Sequence, residues 1–290
     1  MLLEKQSPCK INLLLNILGR RADGFHELET VIYPISLFDL LSFERIGQGL
    51  QLSCSNASLP ADSQNLVHRA ASAFLEAAKI TDGVQIHLEK HLPLAAGLGG
   101  GSGNAATTLL ALNELFDAPL SSEQLHAIAA GLGSDIPFFL QTKPALATGR
   151  GERIQPLDFF PAFRGAWLVL IYPGFGIPTP WAYQQLQRFP AALNGTKGRA
   201  QHLISKLQRN DLVAAAAGFY NSLEAPALEK YPLLELFQEF LRANGAVAAL
   251  MSGSGSSTFA LLPNKVAAEV LCERVKSKFG ATNWLGLVAA

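Results

Sequence analysis

Residues 93–106 read Pro-Leu-Ala-Ala-Gly-Leu-Gly-Gly-Gly-Ser-Gly-Asn-Ala-Ala, and no other stretch limits the fold as much. Upstream, Val84, Ile86 and Leu88 alternate with Gln85, His87 and Glu89, the pattern of a strand buried on one face. Downstream, Ala105, Leu109, Leu112 and Phe116 recur at helical spacing. Strand, glycine loop and helix start thus follow in the order an anion site needs, with unpaired N–H groups and the helix dipole facing negative charge. Taken alone, such glycines could equally form a bare flexible connection. The small residues Ala105 to Thr108 immediately after them argue for a helix packed close behind the loop. Two familiar phosphate motifs fail on the letters. No Gly-Lys pair occurs, which excludes the P-loop. The dinucleotide fingerprint fits only as Gly101-x-Gly103-x-x-Ala106, well past the strand and after Pro93. The alternating strand is also unlike a central parallel strand, which is apolar on both faces.

The 290 residues are 49% hydrophobic and 16% charged, enough for two domains with their own cores. Lys plus Arg and Asp plus Glu both number 23, so there is no basic excess to suggest nucleic acid. Cys9, Cys54 and Cys272 are odd in number and far apart, matching neither a disulfide framework nor zinc-ligand spacing, and point to a reducing cytoplasm. Of the histidines only His87 and His91 are close, and they straddle a strand end and a Pro-containing turn, so no metal site is expected. Asn12 and Asn16 interrupt the apolar run 11–18, and Arg20-Arg21 follow where a signal peptide would need small residues. No apolar run reaches membrane-spanning length.

Along the chain, 11–18 and 30–37 read as strands around a turn at 20–24. Asn65 opens a helix with a stripe of Leu66, Ala70, Ala73 and Ala77. Ser121 with Gln124 forms a capping-box pattern for a helix that stops at Gly131 or Gly133. Pro and Gly content rises over 142–156, placing a domain boundary near 150. Beyond it come a strand over 166–171, helices around 210–220 and 233–243, a strand pair 246–251 and 258–262, a helix capped by Asn264, and a strand over 283–288.

Four segments taken together resemble the GHMP family of small-molecule kinases: Pro8-Cys9-Lys10-Ile11-Asn12, the glycine loop, Gly133-Ser134-Asp135-Ile136-Pro137, and Met251-Ser252-Gly253-Ser254-Gly255. Finer likenesses lie in Arg21-Ala22-Asp23-Gly24-Phe25-His26, Ala147-Thr148-Gly149-Arg150-Gly151-Glu152, and Pro173-Gly174 with Ile177-Pro178-Thr179-Pro180. The resemblance spans nearly the whole chain. It implies an α+β fold of two domains, a ribosomal-protein-S5-like nucleotide-binding domain over 1–150 and a ferredoxin-like α/β sandwich over 151–290. It further implies an ATP-dependent kinase acting on a small molecule, cytoplasmic, with Mg²⁺ as the ATP complex. No nucleic acid or membrane partner is implied, and the assembly is a monomer or weak homodimer.

Phosphoryl transfer needs donors or cations where charge gathers and one base for the substrate hydroxyl. The resemblance gives these roles to Lys10 and Asp135, the latter between a helix end and a strand start. Read alone, such an Asp is usually a turn or cap residue and such a Lys usually a solvated edge charge. The backbone of Pro93, Leu94, Ala95, Ala96, Gly97, Leu98, Gly99, Gly100, Gly101, Ser102, Gly103 and Asn104 would cradle the ATP phosphates, with Ser102 adding a hydroxyl. Asn65 would either reach the adenine or cap its helix. Family members usually carry serine at 103 and alanine at 134, where this chain has Gly103 and Ser134. Phe25 and Tyr183 match positions that stack a cytosine, His26 the residue that reads its edge, and Asn12 and Thr179 positions near the polyol and diphosphate. Each of these aromatics alone would read as packing; together they imply a cytidine diphosphate methylerythritol substrate, phosphorylated on its 2-hydroxyl. The serine-glycine loop 252–257 reads either as a hairpin connection or as support for the first glycine loop, and the second reading is favoured. Other acceptors within the same fold, or a nucleotide-binding protein without turnover, are the competing readings.

Overall fold

The chain opens with two long strands, β1 (Leu2–Arg20) and β2 (His26–Ile46), in a computed structural model that describes residues 2–290. Residues 9–17 of β1 are buried without interruption, so Lys10, Asn12 and Asn16 must find their polar partners inside the protein. Two compact units divide the chain. One comprises the residues up to Cys9, Leu37–Leu92 and Gly99–Thr142; the other comprises Lys10–Ser36, Pro93–Leu98 and Lys143–Ala290. A cut near 150 separates two stretches of sequence, whereas these units interleave them, because β1 and β2 each contribute to both.

In the first unit, β3 (Leu50–Cys54) lies parallel to β4 (Gly83–Glu89), and β4 runs antiparallel to β2 with Leu41 opposite Leu88 and Phe43 opposite Ile86. Val84, Ile86 and Leu88 are buried and Gln85, His87 and Glu89 exposed, as the alternation predicts. Helix α1 (Leu66–Ala78) buries Val67, Ala70, Ala71 and Phe74. The expected stripe through Leu66, Ala73 and Ala77 is therefore turned by about one residue, and Ala77 is exposed. Phe74 is the largest apolar side chain of the helix and stacks on Phe116 at 6.4 Å, so its burial sets the rotation. Helix α2 (Gly100–Leu115) starts within the glycine run and buries Gly103 to Leu109 without a break. Helix α3 (Ser122–Leu132) has the capping box of Ser121 and Gln124 and ends at Gly133.

The second unit continues with β5 (Ala145–Gly149), which pairs with β2, and β6 (Arg153–Pro156), which pairs with β5. Strand β7 (Trp167–Tyr172) is followed by helices α4 (Thr179–Gln185), α5 (Pro190–Leu193), α6 (Arg199–Leu207) and α7 (Leu212–Ala216). The helix expected over 210–220 is cut to α7 because Tyr220–Asn221 is strand β8, parallel to β1 at Leu14 and Leu15. Helices α8 (Glu224–Lys230) and α9 (Pro232–Ala243) precede the hairpin of β9 (Ala248–Met251) and β10 (Thr258–Leu262). Helix α10 (Lys265–Phe279), capped by Asn264, and β11 (Trp284–Ala289) complete it. The antiparallel order β11-β7-β10-β9 is covered by Leu234, Phe237 and Leu241 of α9 and Leu271 and Val275 of α10. Each of these side chains contributes about 1.5–3 kcal/mol of apolar burial.

Candidate active site

In the second unit the serine-glycine loop and the start of the first glycine loop touch backbone to backbone. Ser257 N donates to Ala96 O at 3.1 Å, and Ser252 Oγ to Gly97 O at 3.0 Å. A Cβ on Gly97 would lie 2.0 Å from Ser252 O, and Gly97 has φ +77°, so only glycine fits. This contact supports the second of the two readings of 252–257. Asn221 holds the same loop from beneath, its Nδ2 donating to Met251 O and Gly253 O, both at 2.8 Å.

Lys10 sits beside this junction at 3% exposure. Its Nζ donates to Asn12 Oδ1 at 2.5 Å and to Gly97 O at 3.0 Å, and its backbone N–H donates to Leu98 O at 2.9 Å. Asn12 Nδ2 donates to Thr30 Oγ1 at 2.9 Å, and Thr30 Oγ1 donates to Leu14 O at 2.5 Å. Thr30 and Asn221 were absent from the expected set, whereas Ser252 belongs to the loop read as support for the glycine run. The signal for Thr30 was a strand run too apolar to leave Lys10 and Asn12 without internal partners; nothing in the letters pointed to Asn221.

A second cluster of the same unit gathers around the β1–β2 turn. Arg21 Nη1 and Nε pair with Glu27 at 2.5 Å and Asp23 at 3.1 Å, and Asp23 accepts the Phe25 N–H at 3.1 Å. Phe25 is half exposed, with the Arg150 guanidinium 4.7 Å from its ring centre. The His26 and Tyr183 rings lie 5.1 Å apart, tilted at 37°. His26 Nε2 is buried and has no hydrogen-bond partner among the described residues. Burial, and then the nearby Arg20 charge, lower its pKa, keeping the ring neutral at neutral pH. Thr179 Oγ1 and Ser254 Oγ are 2.9 Å apart.

In the first unit the glycine run enters α2 through Gly99, at φ +70°, with no side chain capping the helix and no acidic residue in its first turn. Gly103 N donates to Gly99 O at 2.8 Å; the N–H groups of Gly100, Gly101 and Ser102 precede that first helical bond. Gly101 is exposed and Gly100 and Ser102 half buried, which fits an approaching phosphate. Behind the helix start, Asp39 is fully buried and pairs with Lys90 Nζ. Its Oδ1 accepts the His91 and Leu92 N–H groups, both at 2.9 Å, and its Oδ2 accepts Asn104 Nδ2 at 2.9 Å. Asp135 is half buried between α3 and a 3₁₀ turn over Pro137–Leu140. The strand expected there is absent, since Pro137 opens the turn and Ile136 N closes on Gly133 O at 3.2 Å.

The side chains of three asparagines in the expected set, Asn104 being expected there through its backbone, have protein partners. Asn12 serves Lys10 and Thr30. Asn65 caps α1 through Val67 N at 3.0 Å and gives Nδ2 to Pro60 O at 2.8 Å. Asn104 joins Asp39 to Ser7 Oγ, also at 2.9 Å.

The chain matches the GHMP kinases N terminal domain over residues 65–143 and the GHMP kinases C terminal domain over 201–281. It belongs to the GHMP kinase family, with the α+β fold of two GHMP domains. Among its relatives is the 4-diphosphocytidyl-2-C-methyl-D-erythritol kinase of Syntrophus aciditrophicus, 42% identical over 260 residues, 89% of each chain. The enzyme of that name from Thermosynechococcus vestitus is 39% identical over 285 residues, 93% of this chain and 90% of the relative. A crystal structure of 4-(cytidine 5'-diphospho)-2C-methyl-D-erythritol kinase superposes with TM-score 0.83 at 37% identity, covering 99% of this chain and 100% of that one. Homoserine kinase from Cytophaga hutchinsonii shares the fold, with TM-score 0.75 at 18% identity over 99% and 93% of the two chains. Among the described residues no helix is long and apolar enough to cross a membrane.

Proposed function

We propose that this chain transfers the γ-phosphoryl group of ATP to the 2-hydroxyl of 4-diphosphocytidyl-2-C-methyl-D-erythritol, a step of isoprenoid biosynthesis. The observation that carries the substrate is the buried, unpartnered His26 Nε2 beside Tyr183 and the exposed Phe25 ring. A neutral imidazole nitrogen and two aromatic faces suit the edge and plane of a single pyrimidine. Thr179 stands near the diphosphate in this reading.

ATP, bound with Mg²⁺, supplies the phosphoryl group. The first-turn N–H groups of α2 and the Ser102 hydroxyl receive its phosphates, where the helix dipole favours negative charge. Asp135 takes the proton of the attacking hydroxyl as the new P–O bond forms and the bond to the ADP oxygen breaks. Lys10, an ammonium held by a carbonyl and an amide oxygen, orients that carboxylate and offsets the charge gathering in transfer.

The test is ADP release by purified protein with Mg²⁺-ATP and, in separate reactions, the cytidyl substrate, mevalonate, homoserine and galactose, with Asp135→Asn and Lys10→Ala alongside. Turnover should require the cytidyl substrate and fall by about 10²-fold or more in each variant. Turnover on another alcohol would remove the substrate assignment. Full activity of Asp135→Asn would remove the base.

A further inference from the structure

A buried ammonium is tolerable only where acceptors point at it. Two of the acceptors at Lys10 are Gly97 O and Asn12 Oδ1. The two are unequal in kind: a backbone carbonyl always presents oxygen, whereas a carboxamide turned through half a revolution would present an NH₂ donor to the ammonium. Something must therefore fix which end of Asn12 faces Lys10.

The fixing group is Thr30. A hydroxyl has one proton, and that of Thr30 goes to Leu14 O at 2.5 Å, an acceptor with nothing to give back. Toward Asn12 the Thr30 oxygen can then only accept, and it does so from Nδ2 at 2.9 Å. Only with its nitrogen toward Thr30 can Asn12 turn its oxygen to Lys10. We infer that Thr30 is a positioning residue for the proposed phosphoryl transfer, setting the polarity of Asn12 and through it the place of the Lys10 ammonium. This rests on the reading of Lys10 given above. Thr30 is 4% exposed and Asn12 3%, so both side chains are shielded from bulk solvent.

Thr30→Val keeps the shape and removes the hydroxyl. It should lower kcat about 10–100-fold, the scale of a displaced catalytic group, while both KM values stay within about 3-fold. Thr30→Ser restores the oxygen and should restore kcat. Ser222→Ala is the control: Ser222 is fully buried in the same unit and its Oγ accepts from Ile17 N of the same strand at 3.0 Å, outside the Lys10 chain of bonds. Its kcat should stay at the parent value. An equal fall in Ser222→Ala would reassign the Thr30 effect to a loosened β1 and overturn the inference.

A second readout is epistasis. In an Asn12→Asp background the side chain presents oxygen at both ends, so polarity no longer needs setting, and adding Thr30→Val should change kcat by less than about 3-fold. A further 10-fold loss there would also overturn the proposal. Parent-like kcat in Thr30→Val beside an inactive Lys10→Ala would sink the Thr30 role and leave the kinase reading standing. Full turnover by Lys10→Ala would sink the reading of Lys10 itself.

Discussion

Gly103 and Gly131 both lie in α-helices, and helix propensity alone says that alanine at either should stabilise, by up to about 1 kcal/mol. The surroundings give opposite signs. A Cβ on Gly131 meets nothing within 4 Å. A Cβ on Gly103 would stand 2.4 Å from Pro8 O and 3.2 Å from Ser7 Oγ. The first overlap is with backbone, about an ångström inside ordinary contact, so β1 must move away from α2. Ser7 is also tied to Asn104 at 2.9 Å, so the shift reaches the Asp39 network as well. Overpacking of this kind costs roughly 2–3 kcal/mol, against a propensity gain of about 1, leaving Gly103→Ala less stable by about 1–2 kcal/mol. Gly131→Ala, near the fraying end of α3, should gain about 0.5 kcal/mol. In thermal unfolding followed by circular dichroism, Gly103→Ala should melt about 2–4 °C lower and Gly131→Ala at or slightly above the parent. Gly103→Ser, which installs the residue family members usually carry, meets the same carbonyl and should be no more stable than Gly103→Ala. If Gly103→Ala melts at or above the parent temperature, close approach of the Pro8 carbonyl is not what keeps glycine at this position.

At Gly101 stability and function should part: a Cβ there meets only Leu66 Cδ1 at 3.7 Å, so Gly101→Ala should fold at least as well as the parent. It also adds a methyl group where phosphates would approach the backbone, so KM for ATP should rise about 5-fold or more, measured by initial rates; an unchanged KM would move the cradle elsewhere. Glu224 gives a pH signature. Burial raises its pKa above 4.5, outweighing the lowering by the Met251 N–H, Gln238 and Arg242. The native state therefore holds its proton to higher pH than the unfolded chain does, so this group's contribution to stability is largest below 4.5 and declines until pH passes the raised folded value. Glu224→Gln keeps an oxygen for Met251 N, at 2.8 Å in the parent, and should flatten that decline in urea titrations from pH 4 upward. A decline identical to the parent's would acquit Glu224.

What could be read from the letters follows how far each signal reaches along the chain. Alternation in β4, the capping box of α3 and the Asn264 cap are set by neighbours within a few residues, and each stands where spacing puts it. The rotation of α1 was not legible, because Ala70 belongs to either stripe and the choice falls to Phe74, whose partner Phe116 lies beyond α2. The turn after Asp135 was misread as a strand since Pro137, Phe138 and Phe139 are as apolar as a strand would be; the difference lies in a hydrogen bond back to Gly133. The candidate site shows the same limit more sharply. Asp39 within the apolar stretch 35–43, and Lys10 and Asn12 within 9–17, declare in the sequence that buried polar groups need partners. They do not declare who supplies them. Lys90 and Asn104 answer Asp39, and Thr30, Gly97 and Ser252 answer the Lys10 cluster, across separations of 18 to 155 residues. A sequence fixes the demand for a buried polar partner locally, whereas the supply is a property of the fold, so the residues that position a catalytic group are harder to find than the group itself.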